Sequence, residues 1–237
     1  MDLYGNALLD YLEGNYSEDL YSETSISDSD IFPLPYLFRD YKEMPKLEKK
    51  ALDMAKGTCL DIGSGSGSHS LYLQSKGFDV TAIDYSAGAC KVAESRGINQ
   101  VICGDIWKID PKNSYDTLYL LMNGAGMAGT LEGTLPFLIH LKNLLKPGGQ
   151  ILLDSSDIKY MFEEDDGGYW VNLNQKYYGE VEFKMTYKGR ESEPFDWVYI
   201  DFENLEKIAH QAGLVAEKVL DGPHYDYLAI LRVPTTS

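Results

Sequence analysis

The spacing of apolar residues predicts alternating strands and helices from residue 57 onward. Residues 59–62 form a short apolar run without helical spacing, and three glycines follow it at once. A helix comes next, because Leu71 and Ser75 share one face and Gly77 suits a helix end. A second strand then ends at Asp84. The same spacing predicts helices over 87–96, 131–146 and 202–211, and strands over 101–103, 115–122, 150–154, 214–220 and 225–233.

This order predicts an α/β fold with a doubly wound, mostly parallel sheet. The last two strands are separated only by a short turn over 221–223, which forces them to be antiparallel. Residues 57–237 therefore form one domain that ends in an antiparallel hairpin.

Two segments lie outside this alternation. Residues 1–56 are predicted to form an N-terminal helical cap or lid, with Asp2 capping a first helix, an acidic mobile loop over 17–30 and an aromatic-rich segment over 31–41. Residues 160–200 are an insertion whose period of two over 180–187 predicts a β-ribbon, with further strands over 169–173 and 195–200. The ribbon is expected either to wall a substrate pocket or to make a subunit contact in a homodimer.

Composition limits the classes of protein. The chain has 237 residues with 44% hydrophobic content, which is ample for one core, and no apolar run is long enough to cross a bilayer. The net charge of −16 disfavours nucleic acid and anionic membranes as partners. The three cysteines have no metal-like spacing, which favours reduced thiols and a cytoplasmic protein.

The glycine loop predicts a nucleotide-like cofactor, and the carboxylates around it favour one type. Asp61 stands two residues before Gly63, where it would repel the pyrophosphate of a dinucleotide but attract the sulfonium and ammonium of S-adenosylmethionine (SAM). Asp84 lies about 20 residues after the first glycine, the position that binds ribose hydroxyls. Asp105 follows the third strand and suits the adenine amino group. An NAD-binding oxidoreductase and a purely structural turn are the alternatives.

Several segments resemble the class I SAM-dependent methyltransferases. They are LDIGSGSGSHS, AIDYS, CGD, LLKPGGQILLD and the closing hairpin, and they cover residues 57–157 and 201–233. The resemblance implies a seven-stranded sheet and methyl transfer from SAM to an acceptor that the sequence does not identify. It leaves open a non-catalytic SAM-binding module. It implies cofactor contacts from Asp61, Gly63, Ser64, Gly65, Gly67, Asp84, Tyr85, Asp105, Ile106 and Asn123.

The acceptor is expected to be a small, neutral or cationic molecule between 31–41 and the edge formed by 155–160. Asp157, Tyr160 and Tyr36 are the candidate general bases, and Ser155 is a candidate substrate contact. Arg39 is expected to clamp a carboxylate of the substrate or of the methionine end of SAM. His69, in the first turn after the glycine loop, is interpreted as a structural hydrogen-bonding residue. No metal site is assigned.

Overall fold

The computed structural model describes residues 1–110, 115–162 and 176–234. From residue 58 onward these ranges alternate strand and helix as the apolar spacing predicts, and the strand predicted over 169–173 lies outside them. The helices are α1 (Leu3–Leu12), α2 (Leu34–Leu37), α3 (Lys46–Asp53), α4 (Ser68–Ser75), α5 (Ala87–Ser95), α6 (Leu131–Leu144) and α7 (Phe202–Gln211). The strands are β1 (Leu20–Thr24), β2 (Ser27–Phe32), β3 (Thr58–Ile62), β4 (Asp79–Asp84), β5 (Gln100–Cys103), β6 (Tyr115–Leu120), β7 (Leu145–Ser156), β8 (Glu180–Tyr187), β9 (Arg190–Glu191), β10 (Phe195–Val198), β11 (Val215–Asp221) and β12 (Asp226–Arg232).

The main sheet has seven strands in the order β11-β12-β7-β6-β3-β4-β5. The five strands from β3 to β7 are parallel to one another, whereas β12 is antiparallel to both β7 and β11. The predicted fold class and its antiparallel hairpin are therefore confirmed. Because the parallel strands end at the same edge, the residues that follow β3 to β7 meet there.

Helices cover both faces of this sheet, so its central strands are apolar on both sides. On one face, Phe137 of α6 and Leu205 of α7 belong to the largest core cluster, together with Leu153 of β7. On the other face, Leu52 of α3 packs in a cluster with Leu152 of β7. Successive residues of β7 thus point to opposite faces of the sheet.

A second, smaller sheet joins the N-terminal segment to the insertion. Its order is β10-β8-β1-β2, and β1 pairs with β8 in a register that places Tyr21 opposite Thr186. The prediction of a mobile loop over 17–30 is therefore wrong. The segment can have few apolar residues, because β2 lies at the edge of this sheet and only Leu20 of β1 is buried. Backbone hydrogen bonds between β1 and β8 hold the segment in place.

Helix α1 crosses the start of α5 directly after strand β4. The carboxylate of Asp2 accepts hydrogen bonds from Gly5 N at 2.9 Å, Ser86 Oγ at 2.9 Å and Gly88 N at 2.8 Å. Asp2 thus caps α1, as predicted, and also holds it on the first turn of α5. Among the described residues, none of the helices is both long and apolar enough to cross a membrane.

Gly88 is the close-contact point of this helix pair, since a Cβ there would lie 2.5 Å from the backbone of Gly5. We expect Gly88→Ala to lower the free energy of unfolding by about 1–3 kcal/mol through overpacking, although alanine is the better helix former. Urea unfolding measures the change. Gly104→Ala is the control, because a Cβ at Gly104 meets nothing within 4 Å. Equal stability of the two variants would contradict the close contact of α1 and α5.

Candidate active site

Asp84 lies at the end of β4 and is fixed in place by the glycine loop. Its Oδ2 accepts a hydrogen bond from Gly65 N and its Oδ1 one from Ser86 N, both at 2.8 Å. Burial raises the pKa of Asp84, and these two backbone donors oppose the rise. The carboxylate is therefore oriented at the sheet edge, with lone pairs left for further donors such as ribose hydroxyls.

The glycine loop makes its tight turn through backbone conformations that favour glycine. Gly63, Gly65 and Gly67 have φ values of 72°, 55° and 83°. A Cβ at Gly65 would lie 2.6 Å from the hydroxyl of Tyr4 on α1, so the N-terminal helix approaches the loop closely. Sequence analysis did not single out Tyr4, because a tyrosine on an amphipathic helix carries no signal that it faces a distant loop.

The other two carboxylates of the predicted trio have different surroundings. Asp61 is buried one position before the end of β3, and its Oδ2 accepts from Ser70 Oγ at 2.6 Å. Asp105 caps the short 3-10 helix Ile106–Lys108 through Trp107 N at 3.0 Å. Tyr85, predicted to pack on adenine, is 83% exposed beside Asp84. Asp84 and Asp105 thus follow adjacent strands, as predicted, while Asp61 is held beneath the loop.

A strained turn follows β6. Met122 and Asn123 both have positive φ values, 61° and 58°, which is uncommon for two consecutive residues with side chains. Asn123 N donates to Asp154 Oδ2 at 3.2 Å, and Asn123 Oδ1 accepts from Ser156 Oγ at 3.2 Å. Two residues at the end of β7 therefore stabilise the positive-φ backbone of the turn that follows β6.

A buried ion network lies next to this turn. Glu48 of α3 accepts from Arg39 at 2.5 Å through Oε1 and forms a 2.8 Å hydrogen bond with His69 Nε2 through Oε2. Burial alone would raise the pKa of Glu48, but His69 and Arg39 together hold it below its ordinary value. Arg39 also donates to Tyr36 O and stacks its guanidinium 3.8 Å from the Tyr36 ring centre.

This network revises one expectation and confirms another. Arg39 does bind a carboxylate, but it is Glu48 of the same chain, and Arg39 is only 4% exposed. His69 is a buried hydrogen-bonding residue, as interpreted from sequence. Glu48 was missed, because a glutamate in a charged helical segment is normally solvated, and no local pattern indicates that its side chain points inward.

The candidates after β7 divide between the two faces of the sheet. Ser155, predicted to contact substrate, is fully buried, and its hydroxyl accepts a hydrogen bond from Ile200 N at 3.0 Å. The side chain therefore points into the core between the sheet and helices α6 and α7. That expectation is wrong, because the pleat turns Ser155 away from the cap. Asp154 points to the opposite face, where Glu48 and His69 contribute to its electrostatic surroundings.

Asp157 and Tyr160 lie beyond the end of β7. Asp157 Oδ1 accepts from Tyr178 OH at 2.8 Å, and Tyr178 OH also lies 3.2 Å from Asp201 Oδ2. Tyr160 is 42% exposed and stacks on Tyr225 with ring centres 4.8 Å apart. Asp157 thus links the insertion to the segment after β7, and Tyr160 forms a stacked aromatic pair with Tyr225.

The small residues after β6 are approached by a tryptophan from the second sheet. A Cβ at Gly126 would lie 2.0 Å from Nε1 of Trp197 on β10. A side chain of the insertion thus lies against these small residues. The second sheet therefore reaches the turn after β6 through Trp197.

Several buried polar atoms at this edge have no hydrogen-bond partner among the described residues. They include Ser64 Oγ in the glycine loop, Arg39 Nε and Asp154 Oδ1. Buried polar groups are normally satisfied, so unpaired ones beside a glycine loop indicate a ligand site. Together with the oriented carboxylate of Asp84, they indicate that a ligand binds at this edge. A doubly wound sheet with a glycine loop at its carboxyl edge is a Rossmann-like fold.

Comparison with known proteins identifies the family. The family described as "Methyltransferase domain" matches residues 60–153. A SAM-dependent methyltransferase from Bacteroides fragilis, solved in complex with S-adenosyl-L-homocysteine, is 43% identical, with 98% of this chain and 94% of that chain covered and a TM-score of 0.91. The chain belongs to the class I SAM-dependent methyltransferases, and SAM is its methyl donor. The alternatives of an oxidoreductase and a non-catalytic module are set aside.

Other relatives are more distant. The cypemycin N-terminal methyltransferase of a Streptomyces species is 28% identical over 103 residues, which span 42% of this chain and 42% of that relative. The amino pentose methyltransferase CalS10 from Micromonospora echinaspora has a TM-score of 0.55 at 16% identity, with 82% of this chain and 94% of that chain covered. At this level of identity the second likeness shows the fold alone.

Removing the carboxylate of Glu48 tests the ion network. We expect Glu48→Ala to lower the free energy of unfolding by about 3–5 kcal/mol, because Arg39 and His69 would stay buried without their partner. Glu48→Gln keeps the shape and some hydrogen bonding, so its loss should be smaller. Glu203→Ala, which removes an exposed pair with Lys207, should cost about 0–1 kcal/mol. Urea unfolding of all three variants checks this order, and a Glu48→Ala loss no larger than that of Glu203→Ala would contradict it.

Proposed function

We propose that this methyltransferase transfers the methyl group of SAM to a small molecule held between the main sheet and a two-part cap. The cap consists of residues 1–56 and the insertion at about 160–200. The observation that carries the proposal is that segments from these two parts meet over the carboxyl ends of β6 and β7. Arg39 contacts Met122 at 3.3 Å from one side, and Trp197 reaches Gly126 from the other.

The cofactor would lie across the ends of β3, β4 and β5. Asp84 would bind the ribose hydroxyls, and Asp105 with the amide of Ile106 would bind the adenine edge beside Tyr85. Ser64 has an unpaired buried hydroxyl, which supports a ligand at the loop. The methionine end would lie along the rest of the loop and the turn after β6, near Asp61, Gly63, Gly65, Gly67 and Asn123.

A bound SAM supplies a methyl group already activated by its positive sulfur, so the protein mainly provides alignment and exclusion of water. The two-part cap serves the exclusion. Tyr36, a candidate base, suits hydrogen donation better, because burial raises the pKa of its hydroxyl and the nearby charges of Glu48 and Asp154 raise it further, against Arg39. Tyr36 would orient the acceptor while keeping its proton.

A macromolecular acceptor is disfavoured by the same enclosure and by the charge. The net charge of −16 opposes nucleic acid, and Trp197 of the insertion packs against the turn that follows β6. Polar groups that converge in an enclosed site are typical of small-molecule binding.

Asp84 is the residue whose loss should weaken cofactor binding most directly. We expect Asp84→Ala to lower the binding affinity for SAM and for S-adenosylhomocysteine at least about tenfold, because charge-assisted hydrogen bonds contribute roughly 1.5–3 kcal/mol. Calorimetry measures both affinities. Asp79→Ala, at the opposite end of β4, is the control and should bind as the wild type. Unchanged affinity in folded Asp84→Ala would exclude the ribose role.

The size class of the acceptor is tested with methyl-labelled SAM and a cell extract separated into small molecules, protein and nucleic acid. We expect the label to enter the small-molecule fraction when wild-type enzyme is added, and not when Asp84→Ala is added. Label that accumulates in protein or nucleic acid under the same conditions would overturn the proposal.

A further inference from the structure

Asp154 is a buried carboxylate that the fold satisfies only in part. The residue is 8% exposed at the end of β7, and its Oδ2 accepts from Asn123 N at 3.2 Å. Its Oδ1 has no hydrogen-bond partner among the described residues. A carboxylate oxygen that is buried and unpaired is costly, so the free energy of folding gives no reason for an aspartate here.

The cationic groups near Asp154 are hydrogen-bonded to another carboxylate. Arg39 pairs with Glu48 at 2.5 Å, and Glu48 also binds His69. The charges of Glu48 and His69 act on Asp154, and the charge of Asp154 acts in turn on Tyr36 of α2 and Tyr227 of β12. Neither Arg39 nor His69 donates to Asp154 Oδ1, which stays unpaired. A cationic ligand group would complete the site.

The location of Asp154 relates this excess charge to the acceptor. Asp154 supports the strained turn at Asn123, next to the glycine loop, and Tyr36 of the cap is close enough for the charge of Asp154 to raise its pKa. Asp157, by contrast, is already bonded to Tyr178 and Lys159 N. Among the described carboxylates at the end of β7, Asp154 is the one that is buried and carries an unpaired buried oxygen.

We propose that the methyl acceptor is an amine and that Asp154 Oδ1 binds its ammonium form and takes one proton from it. This inference rests on the proposed function and adds the substrate class and a catalytic residue. The proton moves from the ammonium nitrogen to Asp154 Oδ1, which frees the nitrogen lone pair. That pair forms the N–C bond, while the electron pair of the C–S bond returns to sulfur, giving the N-methylated ammonium and neutral S-adenosylhomocysteine. Asp154 then releases its proton to solvent.

The ionisation of Asp154 suits this role. Burial raises its pKa to about 7, and the charge of Glu48 adds to the rise against the Asn123 hydrogen bond and His69. A base is most effective when its pKa lies near the working pH, because it is then deprotonated in part of the population and still holds a proton well. An ordinary surface aspartate would be a much weaker proton acceptor.

Sinefungin tests the site without knowledge of the acceptor. In this SAM analogue an amine-bearing carbon replaces the sulfonium, so its ammonium nitrogen takes the place of the transferable methyl group. S-adenosylhomocysteine lacks that group and serves as the reference ligand. We expect Asp154→Asn to lower the affinity for sinefungin about 10-fold to 100-fold, because a charge-assisted hydrogen bond is lost. The affinity for S-adenosylhomocysteine should change less than about twofold. Asp79→Asn removes the same charge at the opposite end of the sheet and should change neither.

Each outcome of the calorimetry has one meaning. If neither ligand binds the wild type, the proposed function fails. If both bind and Asp154→Asn weakens them equally or leaves sinefungin unchanged, the function stands and the role of Asp154 is wrong.

The wild type gives a second test if Asp154→Asn does not fold. The ratio of sinefungin to S-adenosylhomocysteine affinity should rise as the pH is raised through the pKa of Asp154, because the carboxylate becomes charged while the aliphatic ammonium stays protonated. A ratio that is constant with pH would contradict the proposal. In folded Asp154→Asn the ratio should lose this dependence.

Discussion

The architecture of this methyltransferase depends on one buried glutamate. Glu48 binds Arg39 through one oxygen and His69 through the other, at 2.5 and 2.8 Å. These three residues come from α3, from the segment after α2 and from the first turn of α4. A buried carboxylate must be paired, so the requirement to satisfy Glu48 fixes the aromatic cap segment against the helix that follows the glycine loop.

The consequences extend from this network to the chemistry. Arg39, once held by Glu48, stacks on the Tyr36 ring and lies against Met122 in the strained turn after β6. That turn is supported in its second residue by Asp154. Because Arg39 and His69 both bind Glu48, neither of them donates to Asp154, and Asp154 Oδ1 stays without a hydrogen-bond partner among the described residues. Trp197 of the second sheet packs against Gly126, directly after β6.

Local spacing was enough to predict the parallel sheet, the glycine loop and the position of Asp84, because each is determined by neighbours in sequence. The N-terminal hairpin was not predictable, since its strands bury little and pair with β8, far along the chain. Glu48 and Asp154 were missed as site residues for a similar reason: burial of a carboxylate depends on distant partners. Ser155 was chosen instead of Asp154 because sequence alone did not give the phase of the pleat in β7.

The proposed chemistry is methylation of an amine beside the unpaired carboxylate oxygen of Asp154. It is tested most directly by incubating the enzyme with SAM carrying a ¹³C methyl group and the small-molecule fraction of a cell extract, and recording the carbon chemical shift of the transferred methyl. The account predicts a methyl bound to nitrogen, formed by the wild type and greatly reduced with Asp154→Asn. A methyl bound to oxygen, sulfur or carbon would contradict it.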